Sequence, residues 1–147
     1  MSILLNDLDY RFKPVVFEFI ARCAEAGIPL QIIFTGRTQE EQNALYAQGR
    51  TTPGKVVTWT LDSKHVMKDP DSKSLAIDVC PFDQFQLHGP DKLAWNDSDP
   101  VWDKMGIIGE RVGMKWGVVD GNGNRKDKGH FEYKKPEPIT RSDGFVA

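Results

Sequence analysis

Three separated stretches of this chain carry side chains of the kind that hold divalent metals. Any fold that uses them together must join the middle of the sequence to its far end. They are Ser63-Lys64-His65, then Ser74-Leu75-Ala76-Ile77-Asp78, then Asp127-Lys128-Gly129-His130-Phe131-Glu132. His65 and Asp78 are thirteen residues apart, too far for adjacent turns of one helix but suited to a loop followed by a strand. Two histidines and an aspartate suit zinc, and three protein ligands leave a fourth position open for water. Zinc lowers the pKa of a bound water towards about 7, and a base must still move the proton. Asp127, close to His130 in sequence, is a candidate for that base. His88 competes as a ligand, but its setting in Gln86-Leu87-His88-Gly89-Pro90 is turn-like and reads as surface.

With 147 residues the chain suits one domain over 1–147 and a single hydrophobic core. A net charge of −2 gives no electrostatic reason to expect a nucleic-acid partner. No run approaches the roughly 20 apolar residues of a spanning helix, so membrane insertion is not expected. The first residues, Met1-Ser2-Ile3-Leu4-Leu5-Asn6, have neither the basic start nor the long apolar run of a signal peptide, which points to a cytoplasmic site of synthesis. The two cysteines, Cys23 and Cys80, read as buried free thiols, with a disulfide left open.

Local patterns order the elements. Val15, Val16, Phe19, Ile20, Cys23 and Ala24 repeat at helical spacing within 11–26, and Gly27 and Pro29 stop that helix. Leu30-Gln31-Ile32-Ile33-Phe34 reads as a strand. Thr38-Gln39-Glu40-Glu41 has the form of a capping box, opening a helix to about Gln48 with Ala44, Leu45 and Ala47 on its inner side. Residues 50–60 read as loop and short strand, and 68–73 as an exposed insertion. Residues 75–79 read as a buried strand ended by Pro81. A third helix is expected over 98–113, capped by Ser98 or Asp99, with Val101, Met105, Ile108 and Val112 inward. A strand from Lys115, a loop at 120–124 and the core-closing Phe131-Glu132-Tyr133 follow, with an extended tail over 134–147. The class is α+β, with helices packed on a small antiparallel sheet.

Taken together, the three stretches resemble the SxH, AxD and (D/E)xxH motifs of the zinc D,D-carboxypeptidases and L-alanyl-D-glutamate peptidases. That family includes the vancomycin-resistance dipeptidases and small phage endolysins. Thr35-Gly36-Arg37-Thr38-Gln39-Glu40-Glu41-Gln42-Asn43-Ala44-Leu45-Tyr46-Ala47-Gln48-Gly49-Arg50-Thr51 is similar to the family's (S/T)G-(Y)R-(S/T)xxEQxxLYxxGRT stretch, and Met114-Lys115-Trp116-Gly117 to its GLxWGG element. The likeness runs from about Ile32 to Tyr133. It implies a Hedgehog/D,D-peptidase-like fold and one Zn²⁺ per chain held by His65, Asp78 and His130. It also implies Asp127 as general base and acid, Arg37 on a substrate carboxylate or carbonyl, and Ser63 near the substrate or behind His65.

The chain departs from the pattern in four places. The gap between His65 and Asp78 is longer than the family's, and Ser74 stands where a glycine is common. Gly36 directly precedes Arg37 where the family has tyrosine, and Val118 follows Trp116-Gly117 in place of a second glycine. Trp116 reads as a core aromatic, and Glu132 either faces the site or is a surface residue.

The expected activity is zinc-dependent hydrolysis of the L-alanyl-D-glutamate bond in the peptidoglycan stem peptide. A monomeric endolysin made in the host cytoplasm, and reaching the wall after release, would fit. The alternatives are a D-alanyl-D-alanine carboxypeptidase or dipeptidase, and a wall-peptide binding module without activity.

Overall fold

Apolar residues at helical spacing form the first helix, and they decide which of its faces turns inward. In a computed structural model, which describes residues 1–68, 72–83, 85 and 91–135, α1 spans Lys13–Glu25, with a proline in its first turn. Val16, Phe19 and Cys23 are buried along one stripe, together with Phe12 just before the helix. Ala24 faces solvent instead. Gly27, at φ +79°, ends the helix in a conformation a side chain would resist.

Four strands make one sheet in the order β1-β2-β4-β3, every pair antiparallel: β1 Leu30–Phe34, β2 Ala76–Pro81, β3 Met114–Val119 and β4 Arg125–Tyr133. The helices α1, α2 (Gln39–Ala47) and α3 (Val101–Arg111) complete an α+β fold, as expected from the sequence. α1 and α3 pack on the apolar face of the sheet, where Phe19 meets Phe131 with ring centroids 4.6 Å apart. Ile77, Val79, Trp102 and Met105 join them in the core. Trp116 belongs there too, at 7% exposure, with its indole N–H donating to the Lys128 carbonyl at 2.8 Å. Both cysteines are buried free thiols, and burial pushes each up to about 12.

Several elements differ in detail from the sequence reading. The stretch 50–60 forms turns but no strand, and β2 runs on to Pro81. The α3 helix is shorter than 98–113, with Pro100 at its N-cap position, while the Asp99 carboxylate accepts from the Val101 amide at 2.9 Å. The residues it buries are Trp102, Met105, Gly106 and Gly109, with Val101, Ile108 and Val112 only half-buried. The Thr38–Glu41 capping box of α2 is formed, but the residue this helix buries is Gln42, whereas Ala44 is exposed. No helix among the described residues is long and apolar enough to cross a membrane. His88 and the tail beyond 135 lie outside the described residues.

The two glycines of α3 explain how closely it approaches the sheet. A Cβ on Gly106 would lie 2.2 Å from ring carbons of Trp116, and one on Gly109 2.4 Å from Phe131. Trp116 cannot yield easily, because its indole is both buried and hydrogen-bonded. Gly106→Ala is therefore expected to destabilise the protein by about 1–3 kcal/mol through overpacking, despite a helix-propensity gain of up to roughly 1 kcal/mol. The midpoint of urea unfolding checks this, and an unchanged or raised midpoint contradicts the packing account.

Candidate metal centre

The pairing of β2 with β4 sets two of the three candidate ligands side by side. Asp78 lies opposite His130 in register, and Ile77 lies opposite Phe131. Side chains alternate between faces along a strand, so burial of Ile77 and Phe131 in the core turns Asp78 and His130 to the other face. The strands come close at this point because residue 129 is glycine: a Cβ there would sit 2.5 Å from the Val79 carbonyl oxygen.

His65 arrives from the loop before β2 and is held by backbone on both sides. Its carbonyl accepts from the Arg37 amide at 2.9 Å, while the Lys64 carbonyl accepts from the Leu75 amide at 2.9 Å. Ser74, in the place where the family pattern has glycine, is fully buried. Its hydroxyl is 2.7 Å from the carbonyl oxygens of both Thr35 and Ala76. Gly36 leaves room that the Met67 side chain fills, since a Cβ at residue 36 would lie 2.6 Å from the Met67 sulfur.

Both imidazoles have one nitrogen committed elsewhere, which fixes what the other offers. His65 Nδ1 lies 2.7 Å from the Thr35 carbonyl oxygen, and a carbonyl can only accept, so Nδ1 carries the proton and Nε2 offers a lone pair. His130 Nε2 lies 2.9 Å from Glu132 Oε1, which leaves Nδ1 as its free nitrogen. These two free nitrogens and Asp78 Oδ1 converge: His130 Nδ1 to Asp78 Oδ1 is 3.0 Å, His65 Nε2 to Asp78 Oδ1 3.2 Å, and His65 Nε2 to His130 Nδ1 3.2 Å. With neutral imidazoles the three atoms are all acceptors, and only a cation or a proton placed among them removes the repulsion.

A metal fits this donor set. The edges of a zinc tetrahedron with bonds of roughly 2.0–2.1 Å are about 3.3 Å long, close to the three separations above. The His65, Asp78 and His130 group also meets the geometric requirement for three ligands to share one ion. Thr35 and Glu132 orient the rings from behind, as partners of metal-binding histidines do.

Without an ion, protons take its place. Burial works against charge on His130, but hydrogen bonds to Asp78 and Glu132 prevail and hold its pKa up to about 9. Burial likewise opposes charge on Asp78, and its contacts with His130 and His65 hold it well below the carboxylate range.

Asp127 owes its position to an irregularity between β3 and β4. Trp116 pairs with Phe131 but Val118 pairs with Lys126, so Gly117 faces a bulge of four residues, 127–130. At its start Asp127 has φ +54°, and Gly117 opposite has φ +52°. A Cβ on Gly117 would lie 2.6 Å from the Lys126 carbonyl oxygen, so the crossing requires glycine there. Although Asp127 is exposed as a residue, desolvation of its carboxyl raises its pKa, against the pull of His130. Asp78 adds to the rise, while His65 and Arg37 oppose it.

Arg37 is buried, and burial lowers its pKa, opposed by the charges of Asp78, Glu41 and Asp127. Ser63 accepts from the His65 amide at 3.2 Å and borders a polar hollow of about 240 Å³ that also includes Arg11, Lys64 and Lys73. A larger, mainly apolar hollow of about 600 Å³ lies by Ile28, Pro81 and Val101 and contains none of these side chains.

Two contributors were not named from sequence. The Thr35 carbonyl is a backbone group with no sequence signal. Gln42 sits in the stretch that resembles the family pattern, and it is buried with its Oε1 accepting from Arg37 Nη1 at 2.7 Å.

No protein-family model matches the sequence. Among solved structures, the chain is similar to the Serratia marcescens L-Ala D-Glu endopeptidase ChiX, with a TM-score of 0.60 at 14% identity over 88% of this chain and 83% of that one. The two proteins share a fold.

In the metal-free protein, His130 has a raised pKa in the folded state, so its contribution to stability is complete below its ordinary value of 6.5 and is lost as pH rises through about 9. The melting temperature of chelator-treated protein is expected to fall across that window. A melting temperature that rises or stays level across it would remove His130 as the proton-bearing group.

Proposed function

We propose that this protein is a zinc-dependent peptidase that cuts the L-alanyl-D-glutamate bond of the peptidoglycan stem peptide. The observation that carries the reading is the convergence of three acceptor atoms, His65 Nε2, Asp78 Oδ1 and His130 Nδ1, on one point. The shared fold with an L-Ala D-Glu endopeptidase favours that bond over the D-alanyl-D-alanine alternative. Fold alone does not fix function, so the site residues bear most of the weight.

His65, Asp78 and His130 would hold the zinc, which when bound supplies a Lewis acid for a carbonyl and a more acidic water. Asp127 takes the proton from the attacking water and passes it to the departing amine, a task for which a carboxyl of raised pKa is suited. Arg37 pairs with a carboxylate of the stem peptide through its planar fork. Glu132 and Thr35 keep the two imidazoles from rotating. Ser63, whose hydroxyl accepts from the His65 amide, steadies the segment that carries His65. We further read the protein as a monomeric endolysin that acts on the bacterial wall after release from the cytoplasm.

His65→Ala and His130→Ala are each expected to lose zinc, as measured by metal analysis of the purified variants. Full occupancy in both would take them out of the ligand set. Asp127→Ala is expected to keep zinc and lower kcat by about 10²–10⁴-fold, and near-normal turnover would rule it out as the base. Digestion of purified peptidoglycan is expected to expose new N-terminal D-glutamate. Release of D-alanine instead would select the carboxypeptidase alternative, and bound but uncut wall the binding module.

A further inference from the structure

Gln42 is the one fully buried side chain of α2, and each end of its amide has an unambiguous partner. Its Oε1 accepts from Arg37 Nη1 at 2.7 Å, and a guanidinium can only donate. Its Nε2 donates to the Thr60 carbonyl at 2.6 Å, and a carbonyl can only accept. A further contact reaches the Thr58 hydroxyl at 3.3 Å. The amide orientation is therefore dictated from both sides. The capping box at Thr38 and Glu41 anchors the first turn of α2 and so fixes where Gln42 projects.

Arg37 is tied down at two levels. Its backbone is stitched to the segment carrying His65, through the Arg37 amide to the His65 carbonyl and the Met67 amide to the Arg37 carbonyl at 2.8 Å. Its side chain is stitched through Gln42 to the loop at 58–60, and its Nε also donates to the Met1 sulfur at 3.1 Å. Arg37 senses the charges of Asp78 and Asp127, so its guanidinium lies within electrostatic reach of the candidate metal centre. A long, rotamer-rich side chain does not hold one orientation without such a partner.

We propose that Gln42 is a positioning residue that sets the Arg37 guanidinium towards the carboxylate next to the scissile amide and locks it to the 58–60 loop. This rests on the reading of Arg37 as the substrate-carboxylate holder. Gln42 touches no reacting atom. Its contribution is a preorganised fork that does not have to be ordered when substrate binds.

The test compares two soluble peptides, one with an L-alanyl-D-glutamyl bond and a free α-carboxylate, the other its α-amide. Zinc-loaded wild type is expected to prefer the carboxylate form. Gln42→Met removes both hydrogen bonds at similar volume. It is expected to keep zinc and kcat, and to raise KM for the carboxylate peptide about tenfold, the scale of a hydrogen bond to a charged group. The KM for the amide peptide should stay unchanged, so the preference collapses. An equal rise for both peptides, or no change, overturns the proposal.

A second readout does not depend on turnover. In NMR of ¹⁵N-arginine protein, the Arg37 guanidinium is expected to rotate slowly in wild type and freely in Gln42→Met. Free rotation in wild type overturns the proposal by itself. Wild type that cleaves neither peptide but shows slow Arg37 rotation, lost in Gln42→Met, defeats the peptidase reading while upholding the Gln42–Arg37 lock. If Gln42→Met does not fold, Gln42→Asn keeps the amide but shortens the side chain, so it cannot reach Arg37 and Thr60 together. A retained carboxylate preference in that variant counts against the proposal.

Discussion

Asp78 and His130 stand opposite each other on paired strands, and the candidate site depends on that register. A slip of one residue in β4 against β2 would turn His130 into the core face and bring Phe131 out, while Asp78 stayed on the outer face without its partner. The hydrophobic core therefore enforces the chemistry: burying Ile77 and Phe131 in their places also presents the aspartate and histidine together on the outer face. His65 is brought to the same point by different means, through backbone bonds to Arg37 and between Lys64 and Leu75. A ladder and a pinned loop thus meet at one triangle of acceptors.

The hydrogen bonds behind that triangle determine its electrical character. The Thr35 carbonyl and the Glu132 carboxylate each claim one imidazole proton, so both free nitrogens point their lone pairs at the Asp78 oxygen. Such an arrangement is unfavourable unless something positive sits among the three. The raised pKa of His130 and the depressed pKa of Asp78 express this demand in the metal-free chain. The charge that satisfies it with a proton is the charge an ion would displace, so acidity and metal binding compete at one place.

Much of the fold could be read from local pattern. The stripe of α1, the β1 strand and the capping box of α2 follow from side chains close together in sequence, and short-range physics decides them. The elements that differed are those decided at long range. The inward residue of α2 is Gln42 because Arg37 and the 58–60 loop need an amide there, not because of any apolar period. α3 buries Gly106 and Gly109 because the rings of Trp116 and Phe131 press against it. Three candidate ligands were legible as residue types in a familiar order, whereas the partners that orient them were not. From sequence Glu132 reads equally as a site-facing or a surface residue, and its contact with His130 turns it to the site face, while a carbonyl such as that of Thr35 leaves no trace in a list of side chains.

The bulge that carries Asp127 has a consequence for how the protein divides its resources. An L-amino acid other than glycine at φ +54° is held in a conformation that the chain disfavours, although aspartate tolerates it better than most. Glycine would rest there more comfortably, and under the role proposed for Asp127 the molecule gives up that ease to aim a single carboxyl group. Position 127 is thus a place where a more robust protein and a more capable one call for different residues.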